Sequence, residues 1–102
     1  MTTAAAVAVL GLGAMGLPMA ANLAGRFPVR GFDVVAERRA LAERSGVAPA
    51  GTAAEAVAGA DVVLIAVRDR AQLEELLFGE AGIAPHMARG AVVLLTSTVG
   101  DA

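Results

Sequence analysis

Three stretches of the chain are apolar without a break over the length of a β-strand. They are A-V-A-V-L at residues 6–10, V-V-L-I-A-V at 62–67 and A-V-V-L-L at 91–95. A fourth, P-V-R-G-F-D-V at 28–34, is mixed and ends as a strand at Asp33, and residues 47–52 are weakly strand-like. Unbroken apolar runs suit strands covered on both faces, as parallel strands are. Between them the spacing predicts helices over 15–25, where Met19, Ala20 and Leu23 recur at helical intervals, and over 36–44, 53–59 and 71–78. One further turn is expected within 82–87. Strand and helix alternate throughout, which predicts an α/β fold with a doubly wound parallel sheet of about five strands in the order 3-2-1-4-5.

Composition narrows what such a sheet could serve. At 102 residues the chain is one domain or part of one. Its aromatics are three Phe, so the core must come from Val, Leu, Ile, Ala and Met. The net charge of −2 carries no acidic or basic block, which gives no footing for nucleic acid or a membrane surface. The absence of cysteine excludes a disulfide framework and thiolate metal sites, and fits a cytoplasmic protein. The apolar N-terminus has no basic region ahead of it and runs straight into glycines, unlike a signal peptide. No apolar run approaches the roughly 20 residues that span a bilayer. All eight basic residues are arginine, so lysine chemistry would have to come from outside this chain.

The chemistry concentrates where the first strand breaks into Gly11-Leu12-Gly13-Ala14-Met15-Gly16. A G-x-G-x-x-G between a strand and a helix is the setting for a dinucleotide diphosphate. Gly11 would make the turn, Gly13 would let backbone approach the diphosphate, and Gly16 would let helix lie close to strand. The free N–H groups and positive end of the helix then face the phosphates. Pro18 falls in the first helical turn, where its missing N–H loses no bond. Asp33 follows Gly11 by 22 residues at a strand end, placed to accept both hydroxyls of an adenosine ribose and to repel a 2′-phosphate. The plainer alternative is that Asp33 caps the following helix. Arg38 and Arg39 read as solvated helix charges, with adenine or a 2′-phosphate as the other possibility. Val67, Arg68 and Asp69 end the 62–67 strand on the same sheet edge, either walling the adenine and ribose or starting the next helix with Asp69 as cap. Thr96, Ser97 and Thr98 would close the last strand at that edge, with hydroxyls for the nicotinamide side. His86 and Asn22 are each the sole residue of its type; His86 reads as a capping or surface residue and Asn22 as a surface or packing residue.

Taken together, residues 11–23 (G-L-G-A-M-G-L-P-M-A-A-N-L), G-F-D at 31–33, the 61–67 strand and S-T-V at 97–99 resemble the β-hydroxyacid dehydrogenases. That family includes 3-hydroxyisobutyrate, tartronate semialdehyde and 6-phosphogluconate dehydrogenases. L-F-G-E-A-G-I-A at 77–84 and L-T-S-T-V at 95–99 are similar to its L-threonate dehydrogenase branch. The resemblance implies a Rossmann-type domain over 1–102 that binds NAD, ahead of NADP, through the backbone of Gly11, Leu12, Gly13, Ala14, Met15 and Gly16 and through Asp33, Val67, Arg68, Asp69 and Thr98. It implies hydride exchange with a small hydroxy acid, no metal, and a homo-oligomer. The family's Ser-Gly-Gly segment, catalytic lysine and helical domain lie downstream of the S-T-V segment. No catalytic residue is therefore expected in this chain, and alone it should be silent. NADP-dependent imine or 6-phosphogluconate-type reductases, or a non-catalytic NAD module, are the rival readings. The strand at 91–95, apolar on both faces, should be left with one flank unpaired and prone to pair with a second copy.

Overall fold

The computed structural model describes residues 5–67, 70–80 and 82–97. Five parallel strands form one sheet: β1 (Val7–Leu10), β2 (Val29–Phe32), β3 (Ala48–Pro49), β4 (Val62–Val67) and β5 (Val92–Ser97), in the order β3-β2-β1-β4-β5. The helices are α1 (Gly16–Ala24), α2 (Ala36–Arg44), α3 (Ala53–Val57) and α4 (Arg70–Phe78), with a 3₁₀ turn at Ala84–His86. Successive side chains of a strand point to opposite faces, and β1 shows the result. Val7 and Val9 pack with Ala20 of α1 and Ala42 of α2, whereas Ala8 and Leu10 pack with Ala56 and Val57 of α3 and with Leu73, Leu76 and Leu77 of α4. Helices on both faces require strands that are apolar throughout, which is the pattern the sequence carries.

Several local devices hold this arrangement outside the glycine loop. Asp61 accepts from the N–H of Ala6 at 2.8 Å and returns its own N–H to the Ala6 carbonyl at 2.8 Å, tying β4 to the start of β1. Arg30 of β2 donates to the carbonyls of Glu55 and Ala58, at 2.8 and 3.3 Å, closing the C-terminal end of α3. The N-terminus of α3 is capped by Thr52, whose Oγ1 accepts from the N–H of Glu55, while the Glu55 carboxylate takes the N–H of Gly51.

Two strands differ from expectation. Residues 47–52 supply a strand of only two residues, because Pro49 has no N–H to continue the ladder and stands at the sheet's edge. Val47, fully buried, anchors the segment instead. β5 runs on through Thr96 and Ser97, which pair with Ala66 and Val67, so these two residues extend the strand rather than close it. As the outermost strand, β5 leaves Val92, Val93, Leu94 and Leu95 all at least one-third exposed.

β1 feeds α1 on one face and β4 leads to α4 on the other. Chain leaving two neighbouring strands in opposite directions opens a crevice above their C-terminal ends, the usual place for a ligand in such sheets.

Candidate functional site

That crevice is a cleft of about 900 Å³. Its near wall is the glycine loop, with Gly11, Gly13, Ala14, Met15 and Gly16. One side is the end of β2 with Phe32, Asp33, Val34, Val35 and Arg38. The opposite side is Ala66, Val67 and Thr96 with Ala71, Gln72, Glu75 and Leu76 of α4.

The three glycines answer different constraints. Gly11 has φ +98°, and a Cβ there would stand 2.3 Å from the Ala66 carbonyl oxygen, so the turn must pass hard against β4. A Cβ on Gly16 would stand 1.7 Å from the carbonyl oxygen of Gly11, so α1 begins directly against the loop's own backbone. Gly13 is unlike both. A Cβ there would meet nothing nearer than Arg38 Nη1 at 3.5 Å, an ordinary contact. Among the described residues no packing demands glycine at that position. The space its missing side chain leaves opens on the cleft.

The start of α1 is open in the same direction. Its N-cap is Met15, which makes no side-chain cap, and among the described residues no partner takes the N–H groups of Gly13, Ala14, Met15 or Gly16. A helix start carries about half a positive charge on such groups. The N-cap of α2, Val35, is also without a side-chain cap. Thus α1 and α2, whose starts line the cleft, have no side-chain cap, while α3, whose start lies elsewhere, has its Thr52 cap.

Asp33 sits immediately after β2 and is only 6% exposed. Its Oδ2 accepts from the N–H of Leu12 and its Oδ1 from the N–H of Val35, each at 2.8 Å. Arg38 Nη1 is 3.5 Å from Oδ2. The carboxylate therefore closes the turn two residues before α2 rather than capping the helix, and also holds the glycine loop. A carboxylate has about four acceptor positions, which leaves capacity toward the cleft.

Of the residues expected to touch a cofactor, the structure gathers Gly11, Gly13, Ala14, Met15, Gly16, Asp33 and Val67 around this cleft. Leu12 is placed differently. Its side chain is buried against Gly31 and Val47 beneath the loop and its N–H is given to Asp33, so neither faces the cleft. Arg68, Asp69 and Thr98 lie outside the described residues. Arg38 and Arg39 are not free helix charges. Arg38 pairs with Asp33, while Arg39 donates to the Asp33 carbonyl and lies with its guanidinium carbon 5.6 Å over the Phe32 ring. His86 and Asn22 are exposed and line no part of the cleft.

Sequence reasoning missed the α4 wall and the valine pair Val34 and Val35. Val34 is 84% exposed, an apolar residue at a turn where polar ones are usual, and that misfit was the available signal. The Thr96 hydroxyl is buried in the cleft wall and has no partner among the described residues. The described residues contain no group of three His, Cys, Asp or Glu able to hold a metal ion, and no helix long and apolar enough to cross a membrane.

A family model described as the NAD-binding domain of 6-phosphogluconate dehydrogenase matches residues 6–102. The chain belongs to this family. It is the kind of domain that stands at the N-terminus of β-hydroxyacid dehydrogenases, and its cofactor is NAD. An NAD-dependent L-serine dehydrogenase of Pseudomonas aeruginosa is 38% identical over 95 residues, covering 91% of this chain and 32% of the relative. An L-threonate dehydrogenase of Pectobacterium atrosepticum is 34% identical over 96 residues, covering 92% and 32%. The solved structure of Mycobacterium tuberculosis 3-hydroxyisobutyrate dehydrogenase with L-serine superposes with a TM-score of 0.87 at 34% identity, over 94% of this chain and 32% of that one. This NAD-binding domain thus spans about a third of the length of the curated relatives it matches, and those relatives are named for different substrates. Gly13 with an open Cβ position, the free N–H groups at the start of α1 and the buried carboxylate at the end of β2 fit a dinucleotide.

Proposed function

We propose that this domain serves a dehydrogenase that exchanges hydride between NAD and a small hydroxy acid of the L-threonate class. The observation that carries the reading is the uncapped start of α1 above a glycine that no contact among the described residues requires, next to a buried carboxylate. The backbone from Gly13 to Gly16 receives the diphosphate. Asp33 takes the adenosine ribose hydroxyls on its remaining acceptor positions. Val67, Arg68 and Asp69 wall the adenosine side, and Thr98 reaches the nicotinamide side. The bound nicotinamide supplies the hydride chemistry, and this chain's residues bind it, orient it and keep that edge of the sheet apolar.

The proton of the substrate hydroxyl is moved by a lysine in the remainder of a longer protein, as the family resemblance implies. The L-threonate assignment is supported by the segments at 77–84 and 95–99 and by the L-threonate relative. A cysteine-free chain suits a reducing compartment, and we place the protein in the cytoplasm. The exposed β5 flank supports self-association of the domain.

Calorimetry of the 102-residue chain with NADH tests the cofactor site. Saturable binding that is lost in Gly13→Val is expected, and no binding to the native chain overturns the assignment. Turnover of L-threonate, 3-hydroxyisobutyrate and L-serine by the full-length protein tests the substrate. Faster turnover of either of the latter two removes L-threonate, and turnover by the isolated domain contradicts the division of labour.

A further inference from the structure

Asp33 is not the only charge at the adenosine end of the cleft. Arg38 Nη1, 3.5 Å from Asp33 Oδ2, is also the atom nearest to the open Cβ position of Gly13, again at 3.5 Å. One guanidinium therefore spans the space between the acidic residue and the loop that receives the diphosphate. Arg39 is held by the Asp33 carbonyl and the Phe32 ring. Among the described residues Arg38 has a single ion pair, and its side chain is 50% exposed. One guanidinium thus pairs with the Asp33 carboxylate and the other with the same residue's main-chain carbonyl, and the less restrained of them, Arg38, lines the cleft.

A carboxylate at this strand end disfavours a 2′-phosphate by like-charge repulsion. Here a cation at comparable distance opposes that field. Asp33 keeps the N–H groups of Leu12 and Val35 whether or not Arg38 stays with it. Arg38 can therefore turn to a phosphate without stranding a bare buried charge. The uncapped start of α2 lies beside it and adds a further positive end, and a guanidinium fork suits phosphate oxygens.

We propose that Arg38 sets the discrimination between the two nicotinamide dinucleotides, and that it makes this cleft accept a 2′-phosphorylated adenosine ribose alongside the free one. The inference rests on the reading of the cleft as a dinucleotide site. With a free ribose Arg38 remains on Asp33 while the hydroxyls use the carboxylate's other positions. With a 2′-phosphate it swings onto the phosphate.

The test is calorimetric titration of the native chain, Arg38→Met and Arg38→Lys with NADH, NADPH, 5′-AMP and 2′,5′-ADP. NADPH should bind the native chain within about tenfold of NADH. Arg38→Met should weaken NADPH and 2′,5′-ADP by about tenfold or more while changing NADH and 5′-AMP by less than about threefold, and Arg38→Lys should recover part of the loss. A native preference for NADH above about tenfold, or a ratio of the two dinucleotides that Arg38→Met leaves within about twofold, overturns the role of Arg38 while leaving the NAD site intact. Failure of all four ligands to bind the native chain overturns both.

Discussion

The N–H of Leu12 and the carboxylate of Asp33 meet at 2.8 Å across 21 residues of sequence, joining the glycine loop to the end of β2 inside the protein. The acidic residue is thus a clamp on the loop as well as a candidate partner for the ribose. Loop geometry and cofactor affinity are coupled through one side chain.

Removing that clamp should act on both. Asp33→Ala leaves the N–H groups of Leu12 and Val35 without their acceptor, at about 1–3 kcal/mol for each buried group left unpaired. We expect a lower denaturation midpoint, weaker NADH binding and a narrowed preference between NADH and NADPH. Asp33→Asn, which keeps one acceptor oxygen, should lose less stability. If titration shows both dinucleotides weakened by the same factor in Asp33→Ala, the residue is a clamp and nothing more.

The three glycines should separate into two kinds. Gly16→Ala forces a Cβ to within 1.7 Å of the Gly11 carbonyl oxygen and should prevent a cooperative native fold. Gly13→Ala meets only ordinary contact. It should melt within a few degrees of the native chain yet bind NADH at least about tenfold more weakly. Native affinity in Gly13→Ala would show that the open position is not where the diphosphate lies.

Gly31 makes a third kind of demand. A Cβ there would stand 2.9 Å from Val47 Cγ1 and about as near, 3.1 Å, to Leu12 Cδ2. Gly31→Ala should cost about 1–3 kcal/mol by overpacking, read by urea denaturation. Because Leu12 belongs to the loop, the same variant should weaken NADH binding although residue 31 is buried away from the cleft. Thr52→Ala serves as the control, losing about 1 kcal/mol with its cap and leaving binding untouched.

The bare flank of β5 should make the domain concentration-sensitive. Val92 to Leu95 present apolar surface beside an unpaired ladder. Sedimentation velocity should show association that rises with concentration and falls in Leu94→Lys. A monomer at every concentration would remove β5 as an association surface.

How far the sequence reveals this arrangement depends on what each residue answers to. The limits of β1, α2 and β4 are legible because apolar runs and their flanking polar residues report burial directly. The glycine loop is legible because a tight strand-to-helix turn tolerates so few residue types. β5 reads as too short because Thr96 and Ser97 look like a turn, whereas the ladder with Ala66 and Val67 carries them on as strand. Arg38 and Arg39 escape the reading for another reason. α2 has charged residues at five of its nine positions and buries only Ala42, so its pattern does not say which charges face Asp33. That is decided by how the helix settles on the sheet.

The unfinished starts of α1 and α2 tie durability to supply. Whatever seats itself over those amides completes both helices, so the unfolding free energy should climb logarithmically with free dinucleotide once its concentration exceeds the dissociation constant. Amide hydrogens at 13–16, which no described partner takes, should exchange fastest in the empty domain and slow first on loading. A protein built this way is toughest when its redox currency is plentiful and most easily degraded when that runs low.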